Sequence, residues 1–124
     1  MKVCLIINPN SGKKKGLKIF ESIKPVLDKN EINYELIQTK RIGHAISISN
    51  KLKIEDYDGL IMIGGDGTFH EIVSGIMNRK DQKKIPIGVI PGGSGNSFLY
   101  HLRKDPKATL KEIIKFKKRY IDVI

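Results

Sequence analysis

Leu60-Ile61-Met62-Ile63-Gly64-Gly65-Asp66-Gly67-Thr68-Phe69-His70-Glu71-Ile72-Val73 runs from an apolar stretch through a glycine-rich turn into a second apolar pattern. Residues 60–63 are continuously apolar and read as a buried strand. Phe69, Ile72, Val73 and Ile76 stand at i, i+3, i+4 and i+7, one face of a helix. Glycines between a strand end and a helix start let a bound group reach the backbone, and the helix adds unpaired N–H donors and the positive end of its dipole. An anionic ligand is favoured there. Thr68 with Glu71 three residues on fits a capping box, which starts the helix near residue 68. Asp66 is the odd member, because a carboxylate beside a phosphate repels it unless a metal ion or a transferred proton makes the charge useful.

Two further turns repeat the arrangement. Asn8-Pro9-Asn10-Ser11-Gly12 follows Val3-Cys4-Leu5-Ile6-Ile7, and Pro91-Gly92-Gly93-Ser94-Gly95-Asn96 follows Ile87-Gly88-Val89-Ile90. Each lies at the carboxyl end of a predicted parallel strand, where open α/β sheets place their ligands. Two familiar nucleotide fingerprints are absent. The position three after Gly67 is His70 and three after Gly95 is Phe98, so no G-x-G-x-x-G occurs. Gly12-Lys13 is followed by Lys14, with no glycine five residues before Gly12, so there is no P-loop.

These residues resemble the diacylglycerol kinase catalytic-domain family, which includes sphingosine, ceramide and bacterial lipid kinases. Asn8-Pro9-x-Ser11-Gly12 is similar to its first nucleotide loop, Gly64 to Thr68 with Glu71 to its GGDGTxxE signature, and Pro91 to Asn96 to its PxGxGN loop. Thr39-Lys40-Arg41-Ile42-Gly43-His44-Ala45 resembles the threonine-to-GHA segment of the sphingosine kinase and bacterial branches. The GGDGT element is shared with NAD kinases and 6-phosphofructokinases, whereas the Asn8-Pro9 opening points to the lipid kinase branch. The resemblance implies ATP and Mg²⁺ as cofactors and a lipid hydroxyl as phosphoryl acceptor. It implies nucleotide contacts from Asn8, Pro9, Asn10, Ser11, Gly12, Thr39, Gly64, Gly65, Gly67, Thr68, Glu71, Gly93, Ser94, Gly95 and Asn96. Asp66 is the implied chemical residue, either orienting Mg²⁺ or taking the acceptor's proton, and no residue is assigned as a resident metal ligand. Glu71 either completes the capping box or touches the ligand, and Thr39 is either a nucleotide contact or a turn residue.

In that family a larger β-rich domain follows such an α/β domain. Residues 1–124 are therefore expected to be the N-terminal ATP-binding domain of a lipid kinase, with Tyr120 to Ile124 leading toward the second domain. An uncovered strand there invites pairing, so a homodimer and an inactive isolated domain are expected. The rival readings are an NAD kinase-like enzyme and a non-catalytic nucleotide-binding or membrane-docking module.

Bulk properties set the remaining bounds. A chain of 124 residues builds a single domain around one core. Lys plus Arg number 23 against 13 Asp plus Glu, a net charge of +10, which suits nucleotide phosphates or an anionic membrane surface. Lys13-Lys14-Lys15 either leans toward phosphate or forms a solvated flank. Nucleic acid is disfavoured: aromatic residues are scattered, and one cysteine with three histidines gives no zinc spacing. Cys4 lies inside the first strand pattern as a buried, inert thiol, which suits a reducing compartment. No apolar run approaches the roughly 20 residues that span a bilayer, so a cytoplasmic location, peripheral at the membrane, is expected.

Strands are predicted near 2–7, 34–38, 59–63, 87–90 and 120–124. Helices are predicted near 15–29, 43–52, 68–78, 96–102 and 106–117, with Pro25 kinking or shortening the first. Strands alternating with crossover helices imply a three-layer α/β/α fold with a mostly parallel sheet. His44 is expected to pack or cap locally. His70, His101 and the four tyrosines carry no argued role.

Overall fold

The computed structural model describes residues 1–9 and 15–91. Strand β1 (Lys2–Ile7) leads to helix α1 (Gly16–Lys29), β2 (Asn33–Gln38), α2 (His44–Lys51), a single 3₁₀ turn at Ile54–Asp56, β3 (Gly59–Gly64), α3 (Asp66–Met77) and β4 (Ile87–Pro91). The four strands are all parallel, in the order β2-β1-β3-β4. The expected segments beyond residue 91 lie outside the described residues.

Alternation along the strands divides the core into two layers. Val3, Leu5 and Ile7 of β1 and Ile61 and Ile63 of β3 face one side with Phe20, Ile23 and Leu27 of α1. Cys4, Ile6, Leu60 and Met62 face the other side with Ala45 of α2 and Ile72 and Ile76 of α3. Parallel register puts Leu5 beside Ile61 and Ile7 beside Ile63, so each face is apolar across the sheet. This is the three-layer α/β/α architecture of a single domain, as the sequence predicts.

Helix α1 is not shortened by Pro25 but runs through it for 14 residues. Pro25 and Glu21, whose carbonyl would have accepted the missing N–H bond, are both exposed, so water can satisfy that carbonyl. The helix closes with a Schellman motif: Ile32 N–H donates to Leu27 O at 3.0 Å and Glu31 N–H to Asp28 O at 3.1 Å. Glu31 occupies the left-handed position, with φ 55°.

Helices α2 and α3 lie together on the opposite face, and Gly75 sets their distance. A Cβ there would stand 2.6 Å from Ile46 O and 2.7 Å from Ser49 Cβ. Arg79, just beyond α3, fixes the far end of the pair. Its guanidinium donates to the Ser49 and Asn50 carbonyls in the last turn of α2, at 3.0 and 3.1 Å. A cation at a helix carboxyl end satisfies orphan carbonyls and opposes the dipole. Asp81 holds the other side of the same guanidinium at 2.9 and 2.6 Å. The hydrogen bonds from Arg79 pull the Asp81 carboxyl down to about 2.

At the amino rim of the sheet, Lys2 Nζ lies 2.9 Å from Glu35 and 5.4 Å from the Tyr57 ring centroid, while the Tyr57 hydroxyl donates to Glu35 at 2.6 Å. Tyr57 thus belongs to a polar knot that nothing in local sequence announces. Cys4 is completely buried, and desolvation pushes its thiol up to about 11, which makes it inert.

Candidate functional site: a cleft at the carboxyl rim of the sheet

Parallel strands bring every carboxyl end to one rim. The ladder there extends one residue beyond the strands: Thr39 N–H donates to Ile7 O at 2.8 Å, and Asn8 N–H donates to Ile63 O at 3.1 Å. Asn8 and Thr39 are thereby fixed at the sheet edge. Because the Asn8 amide is engaged with the sheet, the side chain is what Asn8 offers the rim. Its Nδ2 donates to Thr68 Oγ1 at 3.2 Å, joining the first loop to α3 across 60 residues of sequence.

Helix α3 begins at Asp66 with Gly65 as N-cap, three residues before the Thr68 that a capping box would place there. The capping box does not form. Thr68 sits inside the first turn and faces inward, 6% exposed, where Asn8 reaches it. Glu71 turns to another element altogether: its Oε1 accepts the Gly43 N–H at 3.1 Å. The buried stripe of α3 is Thr68, Ile72, Gly75 and Ile76, with Phe69 and Val73 at its margin. The helix is rolled from the predicted face because Thr68 meets the rim and Gly75 must meet α2.

The glycines of the turn serve different ends. A Cβ on Gly64 would stand 3.1 Å from Thr68 Cβ and Oγ1, so its bareness lets the first turn of α3 fold down on the strand. A Cβ on Gly67 would meet nothing within 4 Å. Gly67 therefore fronts open space. Its N–H belongs to a helical first turn and has no intrahelical acceptor.

Asn8, Thr39, Arg41, Ile42, Ala45, Gly67, Thr68 and Glu71 line a cleft of about 280 Å³. That lies just under the roughly 300–1,000 Å³ usual for small-molecule sites. Five of the residues named from sequence are thus brought together, while Gly64 and Gly65 build the floor and cap beside them. Pro9 lies in an adjoining depression with Thr39, Lys40 and His44. Asp66 is the first helical residue of α3, half-buried next to the cleft-lining Gly67. Asn10, Ser11, Gly12, Gly93, Ser94, Gly95 and Asn96 lie outside the described residues. Arg41, Ile42 and Ala45 were not singled out from sequence, although they fall within the Thr39-to-Ala45 segment. His44 caps locally, accepting the Lys40 N–H on Nδ1 at 2.9 Å.

Among the described residues no three His, Cys, Asp or Glu side chains converge to cage a cation. No helix among the described residues is long and apolar enough to cross a membrane.

This parallel-sheet fold, with a cleft at its carboxyl rim, has clear relatives. The family model of the diacylglycerol kinase catalytic domain matches residues 2–124, and the chain belongs to that family. Sphingoid long chain base kinase 4 of Schizosaccharomyces pombe is 39% identical over 97% of this chain and 28% of its own length. Sphingosine kinase 1 of Arabidopsis thaliana is 39% identical over 82% of this chain and 22% of its own. A crystal structure of a diacylglycerol kinase from Bacillus anthracis str. Sterne superposes with a TM-score of 0.68 at 28% identity, covering 87% of this chain and 38% of that one. The chain thus spans under a third of the length of these two curated relatives.

Proposed function

We propose that the chain is the ATP-binding part of a lipid kinase that transfers the γ-phosphoryl group to a lipid hydroxyl of diacylglycerol or sphingoid type, completed by a second, β-rich domain. The observation that carries this reading is the join between Asn8 and the first turn of α3 beside an uncovered Gly67, which shapes a small anion cleft at the carboxyl rim. The relatives named as sphingosine and sphingoid base kinases support the acceptor class. The +10 charge suits work at an anionic membrane surface, with the chain peripheral to it on the cytoplasmic side.

In this reading Gly67 and Thr68 meet phosphate oxygens through helix-start donors. Thr68 Oγ1 already accepts from Asn8, which leaves its own hydrogen to donate elsewhere. Asn8 and Thr39 wall the cleft, and the family resemblance adds nucleotide contacts from Asn10, Ser11, Gly12, Gly93, Ser94, Gly95 and Asn96. Asp66 takes the acceptor hydroxyl's proton as that oxygen attacks the γ-phosphorus and the bond to the leaving ADP oxygen breaks. A Mg²⁺ brought in on the nucleotide would neutralise phosphate charge. Positioning and charge neutralisation dominate phosphoryl transfer, so a rigid rim is the main requirement.

Asp66→Asn in the intact protein tests the assignment. Asparagine keeps the size and one acceptor but removes the charge and the basicity. Turnover is expected to fall by at least about 100-fold with the melting temperature unchanged. Near-normal lipid phosphorylation would remove Asp66 from the reaction.

A further inference from the structure

We propose that Glu71 is a positioning residue whose carboxylate oxygen, as a hydrogen-bond acceptor rather than as a charge, locks the loop 39–43 over the cleft. The proposal rests on the nucleotide reading of that cleft and deepens it. Glu71 Oε1 accepts the Gly43 N–H at 3.1 Å across 28 residues of sequence, which ties α3 to the loop between β2 and α2. Gly43 presents that N–H from a left-handed conformation, φ 84° and ψ −10°, at the N-cap of α2, where no side chain caps the helix.

Thr39 N–H ties the start of the loop to Ile7 O of β1, and the other bonds of the loop are local to it and to α2: Lys40 N–H to His44 Nδ1, Arg41 Nη1 to Ile42 O, His44 N–H to Arg41 O, and Ser47 N–H to Gly43 O. They give the loop a shape without fixing it to α3. What Glu71 holds matters for the cleft, because Thr39, Arg41 and Ile42 form its wall. Ile42 is 94% exposed, so packing does not hold the loop tip in place. A negative charge beside an anion cleft is unfavourable in itself, which argues that the geometry of the acceptor is what this position needs. Glutamine offers the same oxygen at the same reach without the charge. Aspartate keeps the charge and falls one methylene short.

The experiment compares Glu71→Gln and Glu71→Asp with the wild type in the intact protein, reading ADP affinity by titration and the exchange rate of the Gly43 amide. The glutamine variant is expected to hold ADP within about 2-fold of wild type or tighter, and the aspartate variant to lose about 5-fold or more. Gly43 amide exchange should stay slow in the glutamine variant and speed up at least about 10-fold in the aspartate variant, while both melt cooperatively. Gly43→Ala, which strains the left-handed position and displaces the same N–H, should reproduce the aspartate result. Equal weakening by glutamine and aspartate, or wild-type affinity in the aspartate variant, would overturn the proposal. If the wild type does not bind ADP, the nucleotide reading fails instead, and the Gly43 exchange rates then decide whether Glu71 holds the loop.

Discussion

Gly67 stands apart from the glycines whose bareness the fold requires. At Gly64 and Gly75 an added methyl would strike protein atoms, so their bareness is structural. At Gly67 it would enter open space on the cleft wall. Gly67→Ala should therefore leave stability unchanged, or raise it by up to about 1 kcal/mol because alanine is the better helix former. ADP binding should weaken at least about 10-fold, equivalent to about 1.4 kcal/mol. A variant that melts like wild type and binds ADP equally well would show that no ligand approaches this backbone. The sequence made Gly67 a candidate without separating it from Gly64, since both are glycines in one turn. Their difference lies in what stands opposite each, and local sequence carries no record of that. Glu71 teaches the same lesson, because its partner is Gly43, 28 residues upstream, and the capping box it spells with Thr68 is not used.

Elements were the most legible level, because periodicity is a local property. The apolar runs of β1, β3 and β4 and the i, i+4, i+7, i+11 spacing of Gly16, Phe20, Ile23 and Leu27 are nearly enough to draw α1 and the sheet. Fine structure at the ends was not, since Glu31 in a left-handed turn and Arg79 on the carbonyls of α2 obey long-range geometry. Both positions yield expectations. Glu31→Gly removes the strain of a side chain at φ 55° and should stabilise the fold by about 1 kcal/mol, read from denaturant unfolding. An unchanged midpoint would mean that Glu31 makes a compensating contact. Asp81 predicts a pH dependence. Its folded value of about 2 lies below the ordinary 3.8, so its contribution is complete above pH 3.8 and is lost as pH falls toward 2. Melting temperatures of wild type and Asp81→Asn should converge across that interval and differ above it. A constant difference from pH 5 to pH 2 would dissociate Asp81 from the Arg79 clamp.

Across the whole molecule, the parallel sheet divides labour between its two rims. The carboxyl rim carries the cleft, and the amino rim is tied by Lys2, Glu35 and Tyr57. An ADP titration followed by amide shifts should perturb Asn8, Thr39, Gly43 and Gly64 to Glu71 while leaving Lys2, Glu35 and Tyr57 silent. Shifts spread evenly over both rims would speak against a rim-bound ligand. The bolting of α2 to α3 has a mechanical meaning as well. Glu71 holds Gly43 at the near end, Gly75 lies against Ile46 midway, and Arg79 grips Ser49 and Asn50 at the far end. Two rods pinned at three points neither slide nor splay. A displacement at the start of α3 is therefore expected to carry α2 with it, Arg79 moving in step at the far end.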